Sequence, residues 1–123
     1  MSITTAEFTR LTDHRPWGSF TILADEQDHK VKRLVVKPGC RLSLQRHKFR
    51  DEHWFVISGS ARVILNDTAC SLEPGEAIEI KRGDLHRVGN DASINLVFIE
   101  IQTGDYFGED DIERLDDDYG RND

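Results

Sequence analysis

Four residues of this chain, Gln45, His47, Glu52 and His86, are of types that bind metal ions, and their spacing fits neighbouring strands. Gln45 and His47 lie two apart, so in an extended segment both side chains point to one face. Glu52 begins the next β-type run and shares its face with Trp54 and Val56. His53 then points the other way, which makes it the poorer ligand despite its imidazole. His86 follows 34 residues after Glu52, beyond the Arg82-Gly83 turn, and an antiparallel barrel can return it beside the first pair. Two imidazoles, a carboxylate and an amide oxygen make a mixed nitrogen–oxygen set. Such a set suits Zn²⁺, Mn²⁺, Co²⁺ or Fe²⁺ and suits Cu⁺ poorly. The competing reading of the same residues is structural: polar side chains at strand ends, with Glu52 in an exposed ion pair.

Other chemistries lack their residues. There is no GxGxxG or GxxxxGK[ST] phosphate loop and no GxSxG elbow. Cys40 has no evident activating partner. Cys40 and Cys70 are too few for a disulfide scaffold and form no CxxC pair, so both are expected as reduced, partly buried thiols.

The elements that must position these residues read as short strands. Pro38-Gly39, Ser58-Gly59, Asn66-Asp67, Pro74-Gly75 and Arg82-Gly83 punctuate the chain. Between them lie β-type runs at 18–24, 30–37, 41–47, 52–57, 60–66, 69–73, 76–80, 85–88 and 93–102. Several alternate apolar and polar, as in Ala61-Arg62-Val63-Ile64-Leu65. Regular short strands with Gly/Pro turns predict an all-β sandwich or barrel, and a single domain of jelly-roll type with an interior wide enough for a small ligand. Residues 108–115 are predicted as a short helix with its acids near the N-terminal end of the dipole.

The 123 residues fit one domain and are too few for a TIM barrel, which needs roughly 250. Charge is unevenly placed. Residues 1–104 carry 14 acids and 14 bases, whereas 105–123 carry nine acids and two bases and account for the net −7. A neutral body with an acidic end does not suit nucleic acid, whose phosphates ask for a basic stripe. No apolar run approaches the roughly 20 residues of a membrane helix. The N-terminus shows no basic-then-apolar signal pattern, so the cytoplasm is the expected compartment.

Set out in order, these residues resemble the cupin motifs. Gly39, Gln45, His47, Glu52 and Gly59 are similar to GxxxxxHxHxxxxExxxxxxG with Gln at the first His position. "GEAIEIKRGDLHRVGN" at 75–90 resembles GxxxxxPxGxxHxxxN, with Lys81 for the proline. A narrower likeness spans almost the whole chain. "RPWGSF", "KVKRLVVKPGCRLSLQ", "EHWFVISGSA", "GDLHRVGN" and "GEDDIERLDDDYGR" are similar to the C-terminal domain of type II mannose-6-phosphate isomerases. The resemblance implies an N-terminal extension at 1–14, a cupin barrel at 15–104 and an acidic segment at 105–123 packing on or near it. It implies a divalent metal on Gln45, His47, Glu52 and His86, zinc first, with cobalt, manganese or magnesium as alternatives. It implies a sugar phosphate as ligand, interconversion of mannose 6-phosphate and fructose 6-phosphate, a homodimer, and a guanylyltransferase as a separate partner. Lys48 and Phe49 stand where the family often has histidines.

An aldose–ketose isomerase needs a cation near O1 and O2, a base, and cations for the phosphate. Arg50, between His47 and Glu52, is the first candidate for the phosphate, and Arg121 the second. Of Lys32 and Arg33, at most one faces the barrel. Trp17 and Trp54 either line a sugar pocket or pack in the core. The acidic segment is either a solvated face or a cover for the barrel mouth that brings Tyr119 or Arg121 to the site. The readings from other classes are a non-catalytic cupin that binds a sugar or sugar nucleotide and regulates a partner, and a metal-dependent oxygenase. Gln45 in place of a histidine weighs against the oxygenase.

Overall fold

Eleven strands, all paired antiparallel, make up the regular structure of residues 12–121, the part of the chain described by a computed structural model. They are β1 (Thr12–Arg15), β2 (Gly18–Asp25), β3 (His29–Val36), β4 (Leu44–Arg46), β5 (Arg50–Ser58), β6 (Ala61–Leu65), β7 (Thr68–Leu72), β8 (Ala77–Ile80), β9 (His86–Gly89), β10 (Leu96–Gly104) and β11 (Glu113–Asp116). They form a six-stranded sheet in the order β1-β2-β3-β10-β5-β8 and a five-stranded sheet in the order β11-β4-β9-β6-β7. Trp17, Trp54, Val63, Val88 and Phe98 belong to one apolar core fed by both sheets. The all-β fold expected from the turn spacing is the fold observed. No helix among the described residues is long and apolar enough to cross a membrane.

Inner-face residues change character along three central strands. On β3, Leu34 and Val36 are buried, and so is Lys32 further back along the strand. On β5, Trp54 and Val56 are buried, and so are Glu52 and Arg50. On β10, Leu96 and Phe98 give way to Glu100 and Gln102. Register aligns these changes: Phe98 stands opposite Leu34 and Val56, Glu100 opposite Lys32 and Trp54, and Gln102 opposite Glu52. One end of the interior is therefore apolar, and the other is lined with charge.

Local departures from the sequence expectations have physical causes. The run at 41–47 forms a strand only at Leu44–Arg46, with Arg41 bridging Gly89 alone. β1 lies at the boundary assigned to the N-terminal extension, pairing Thr12 with Thr21 and Arg15 with Gly18, and residues 1–11 of that extension lie outside the described residues. The helix predicted at 108–115 does not form. Instead β11 pairs with β4, Arg114 opposite Gln45. Its acids find better partners on the barrel than on a helix surface. Glu109 reaches Lys32, Glu113 reaches Arg46, and Asp111 accepts from the backbone N–H groups of Lys48 and Phe49. In a helix, Glu109 and Glu113 would instead stack as like charges at i,i+4.

Gly104 ends β10 at φ +148°. A Cβ there would meet the Phe49 carbonyl oxygen at 2.4 Å, so glycine allows β10 to close on the start of β5.

Candidate functional site

At the charged end, His47, Glu52 and His86 converge. One ligand-capable atom from each lies within 4.8 Å of the others, and all three side chains are buried. His47 follows β4 directly, Glu52 sits on β5, and His86 opens β9, where it stands opposite Gln45 of β4. The strand parity behind the sequence reading holds on β5: Glu52, Trp54 and Val56 face inward, while His53 faces outward and pairs with Glu79.

Both imidazoles are oriented by main-chain carbonyls. His47 Nδ1 lies 2.6 Å from the Asp111 oxygen, and His86 Nδ1 lies 3.0 Å from the Asp84 oxygen. Each Nδ1 is therefore the donor, which leaves each Nε2 as an acceptor. Those two Nε2 atoms face one another at 3.2 Å. Glu52 adds an oxygen 3.1 Å from His47 Nε2, and its other oxygen stands 4.0 Å from His86 Nε2. Three acceptor groups thus point at one place. Gln45 donates its amide to Ser43 Oγ at 2.9 Å, which leaves the amide oxygen as the atom able to ligate. A void of about 20 Å³ touches Gln45, Glu52, His86 and Glu100.

Glu52 is anchored on both oxygens, by Trp54 Nε1 at 2.9 Å and by Arg50 Nε at 3.0 Å. Burial pushes its carboxyl up, but the His47 and His86 imidazoles and the Arg50 guanidinium beside it outweigh burial and hold it well below the usual carboxylate range. Burial pushes the His86 imidazole down, against the pull of Glu52, and keeps it neutral. An anionic carboxylate with neutral imidazoles is the state that binds a cation. Glu100 behaves oppositely: burial, reinforced by the negative charge of Glu52, pushes it up to about 7. It accepts from Gln102 Nε2 at 2.8 Å.

Beside this cluster opens a cavity of about 110 Å³. Arg50 and Gln45 lie on its wall, with Lys32, Glu100, Glu109 and Arg121 among the other lining residues. β5 starts at Arg50, so a bend at 48–49 resets the count from His47 and puts Arg50 on the face of Glu52. Arg50 is 3% exposed, and its Nη1 has no hydrogen-bond partner among the described residues. Arg121 reaches the cavity while its guanidinium forks onto Asp117. Tyr119 is not at the cavity; its hydroxyl donates to the Arg41 carbonyl. Trp54 packs in the core and braces Glu52, and Trp17 both packs and lines the cavity. Of the β3 pair, Lys32 is the residue that faces inward.

Sequence reasoning missed two participants. Glu100 carried a readable signal, since it keeps the parity of the apolar inward residues on its strand. The Asp111 carbonyl carried none, because any residue supplies a carbonyl.

An antiparallel double-sheet barrel with a His/Glu/His cluster at its polar end defines the class: this is a cupin. The chain belongs to the family of mannose-6-phosphate isomerase C-terminal domains, whose profile matches residues 4–117. It is 47% identical over 108 residues to the alginate biosynthesis protein AlgA of Pseudomonas aeruginosa, covering 88% of this chain and 22% of that protein. It is 44% identical over 115 residues to a mannose-1-phosphate guanylyltransferase of Sinorhizobium fredii, covering 92% of this chain and 22% of that one. The chain thus spans about a fifth of the length of these relatives. Among solved structures, the capsular polysaccharide assembling protein CapF of Staphylococcus aureus superposes with a TM-score of 0.76 at 22% identity, over 86% of this chain and 34% of that one. At that identity the likeness is one of fold.

Proposed function

We propose that this chain is a metal-dependent sugar-phosphate isomerase that interconverts mannose 6-phosphate and fructose 6-phosphate. The observation that carries the reading is the meeting of His47 Nε2, His86 Nε2 and the Glu52 carboxylate, three acceptors turned on one point. Neutral imidazole nitrogens at 3.2 Å repel unless a cation or a proton sits between them. His47, Glu52 and His86 would hold a divalent ion, with the Gln45 amide oxygen as fourth ligand. Zinc fits this nitrogen–oxygen set, as do cobalt and manganese. When bound, such an ion supplies positive charge for the oxyanion that develops on a sugar carbonyl during isomerisation.

The chain's own residues do the rest. The Asp111 and Asp84 carbonyls fix both imidazole tautomers. Arg50 and Trp54 hold the Glu52 carboxylate in place. The cavity beside the cluster is lined by several cations, which suits the phosphate of a phosphorylated sugar. Arg50 faces it with a donor to spare, and Arg121 lies on its wall.

One fact favours a second reading, a binding module that serves a guanylyltransferase: one relative bears that name, and this region is only 22% of its length. The deciding experiment measures fructose 6-phosphate formed from mannose 6-phosphate by protein stripped of metal and refilled with Zn²⁺, Co²⁺ or Mn²⁺. Turnover that needs metal and is lost in His86→Ala supports the isomerase. Metal binding without turnover moves the function to the binding module.

A further inference from the structure

The C-terminal segment is joined to the barrel by several ion pairs, and one of them differs from the rest. Arg46–Glu113 and Arg41–Asp118 join exposed cations to exposed acids at the rim. Arg87 is buried, but it also donates to the Leu42 and Asp116 carbonyls, so its donors are taken by main chain. Lys32 is 5% exposed and lies on the cavity wall, and its one hydrogen bond among the described residues goes to Glu109 Oε1 at 2.8 Å. Its ammonium rests over the Phe20 ring at 4.3 Å from the centroid. The partner carboxylate arrives from 77 residues away, on a side chain that is 47% exposed.

We propose that Lys32 is the seat of the substrate's phosphate group, and that Glu109 occupies that seat as an internal counter-ion which an anionic ligand displaces. The inference rests on the sugar-phosphate reading above and names the residues that would select for the phosphate. A buried ammonium requires a counter-charge. Here that charge comes from a half-solvated side chain that can swing out to water at small cost. A phosphate monoester offers more than the carboxylate does: close to two negative charges and three acceptor oxygens. It can take the Lys32 proton donors and also the Nη1 of Arg50, which Glu109 leaves without a hydrogen bond. Arg50 and Lys32 both line the cavity that adjoins the metal-ligand cluster, so a phosphate seated there leaves the sugar carbon chain lying toward Glu52 and Gln45.

The test is calorimetric titration of the full chain with inorganic phosphate, mannose 6-phosphate and unphosphorylated mannose. Removing the internal competitor in Glu109→Gln is expected to tighten phosphate and mannose 6-phosphate about three- to tenfold and leave mannose unchanged. Lys32→Met is expected to weaken both phosphate ligands more than about tenfold, with or without Glu109→Gln. If Lys32→Met does not fold, Glu109→Gln carries the test alone, since its side chain is half exposed. Phosphate affinity that is unchanged or weaker in Glu109→Gln, or absent from both proteins, overturns the proposal. Because binding is read without turnover, an inactive chain that shows this pattern rejects only the isomerase. An active chain whose phosphate affinity ignores Glu109 rejects only the seat.

Discussion

His47 and Asp111 meet across 64 residues of sequence, the imidazole Nδ1 2.6 Å from the main-chain oxygen, so the C-terminal segment sets the tautomer of a barrel histidine. The same residue's carboxylate accepts from the backbone N–H groups of Lys48 and Phe49 and so holds the bend that follows His47.

Asp111→Ala is expected to loosen that bend. Two part-buried backbone donors lose their acceptor, at roughly 0.5–1.5 kcal/mol each. Zinc affinity should fall by up to about tenfold, because the main-chain carbonyl that orients His47 remains but is less firmly placed. Competition against a chromogenic chelator reads the affinity, and unchanged affinity would show that the segment does not hold the site.

Glu52→Gln removes the anion among the ligands and leaves Arg50 buried without its partner. Metal affinity should drop by more than the roughly 10–100-fold of an outer-partner loss. The fold should lose roughly 3–5 kcal/mol in denaturant titration of the metal-free chain. A stable Glu52→Gln protein would mean that Glu100 takes over the neutralisation of Arg50.

Glu100 makes the pH dependence run against habit. Its carboxyl is raised in the fold to about 7, above its ordinary value of 4.5. The fold therefore favours the protonated form, and that stabilisation is full below about pH 4.5 and lost as the pH rises through 7. The melting temperature of the metal-free chain should fall between pH 5 and pH 8 on this account. Glu100→Gln should flatten that part of the curve and leave the variant more stable than the parent at pH 8. A parent and variant with parallel curves would exclude the effect.

Gly104→Ala places a methyl 2.4 Å from the Phe49 oxygen at a backbone angle that side chains rarely adopt. The strain is of order 1–3 kcal/mol before the clash is counted. Thermal melting should show a drop of several degrees, and because Gly104 stands opposite Arg50, metal affinity should fall with it.

What was legible in the sequence was whatever follows from parity within one strand. Glu52 inward and His53 outward needed only a count along β5. Gln45 and His86 needed one further step, the return of β9 beside β4. The acidic segment was illegible because its conformation is chosen by partners elsewhere. Lys32, Arg46, Arg87 and Arg41 draw out Glu109, Glu113, Asp116 and Asp118, and a propensity reading of 108–115 sees none of those cations. Arg50 shows the middle case: its side depended on whether the bend at 48–49 interrupts the count, which local residue types do not decide.

The graded interior of β3, β5 and β10 bears on how such a chain can change over generations. Apolar and chemical residues share the same three strands in fixed register, Phe98 two positions from Glu100 and Trp54 two from Glu52. A point substitution at Lys32 or Glu100 changes a residue on the cavity wall and removes little apolar burial. One residue inserted or deleted within these strands reverses the facing of everything beyond it, core and site together. New specificities on this scaffold should therefore arise by exchange of single side chains at its polar end, while changes of length collect in the turns and in the acidic segment.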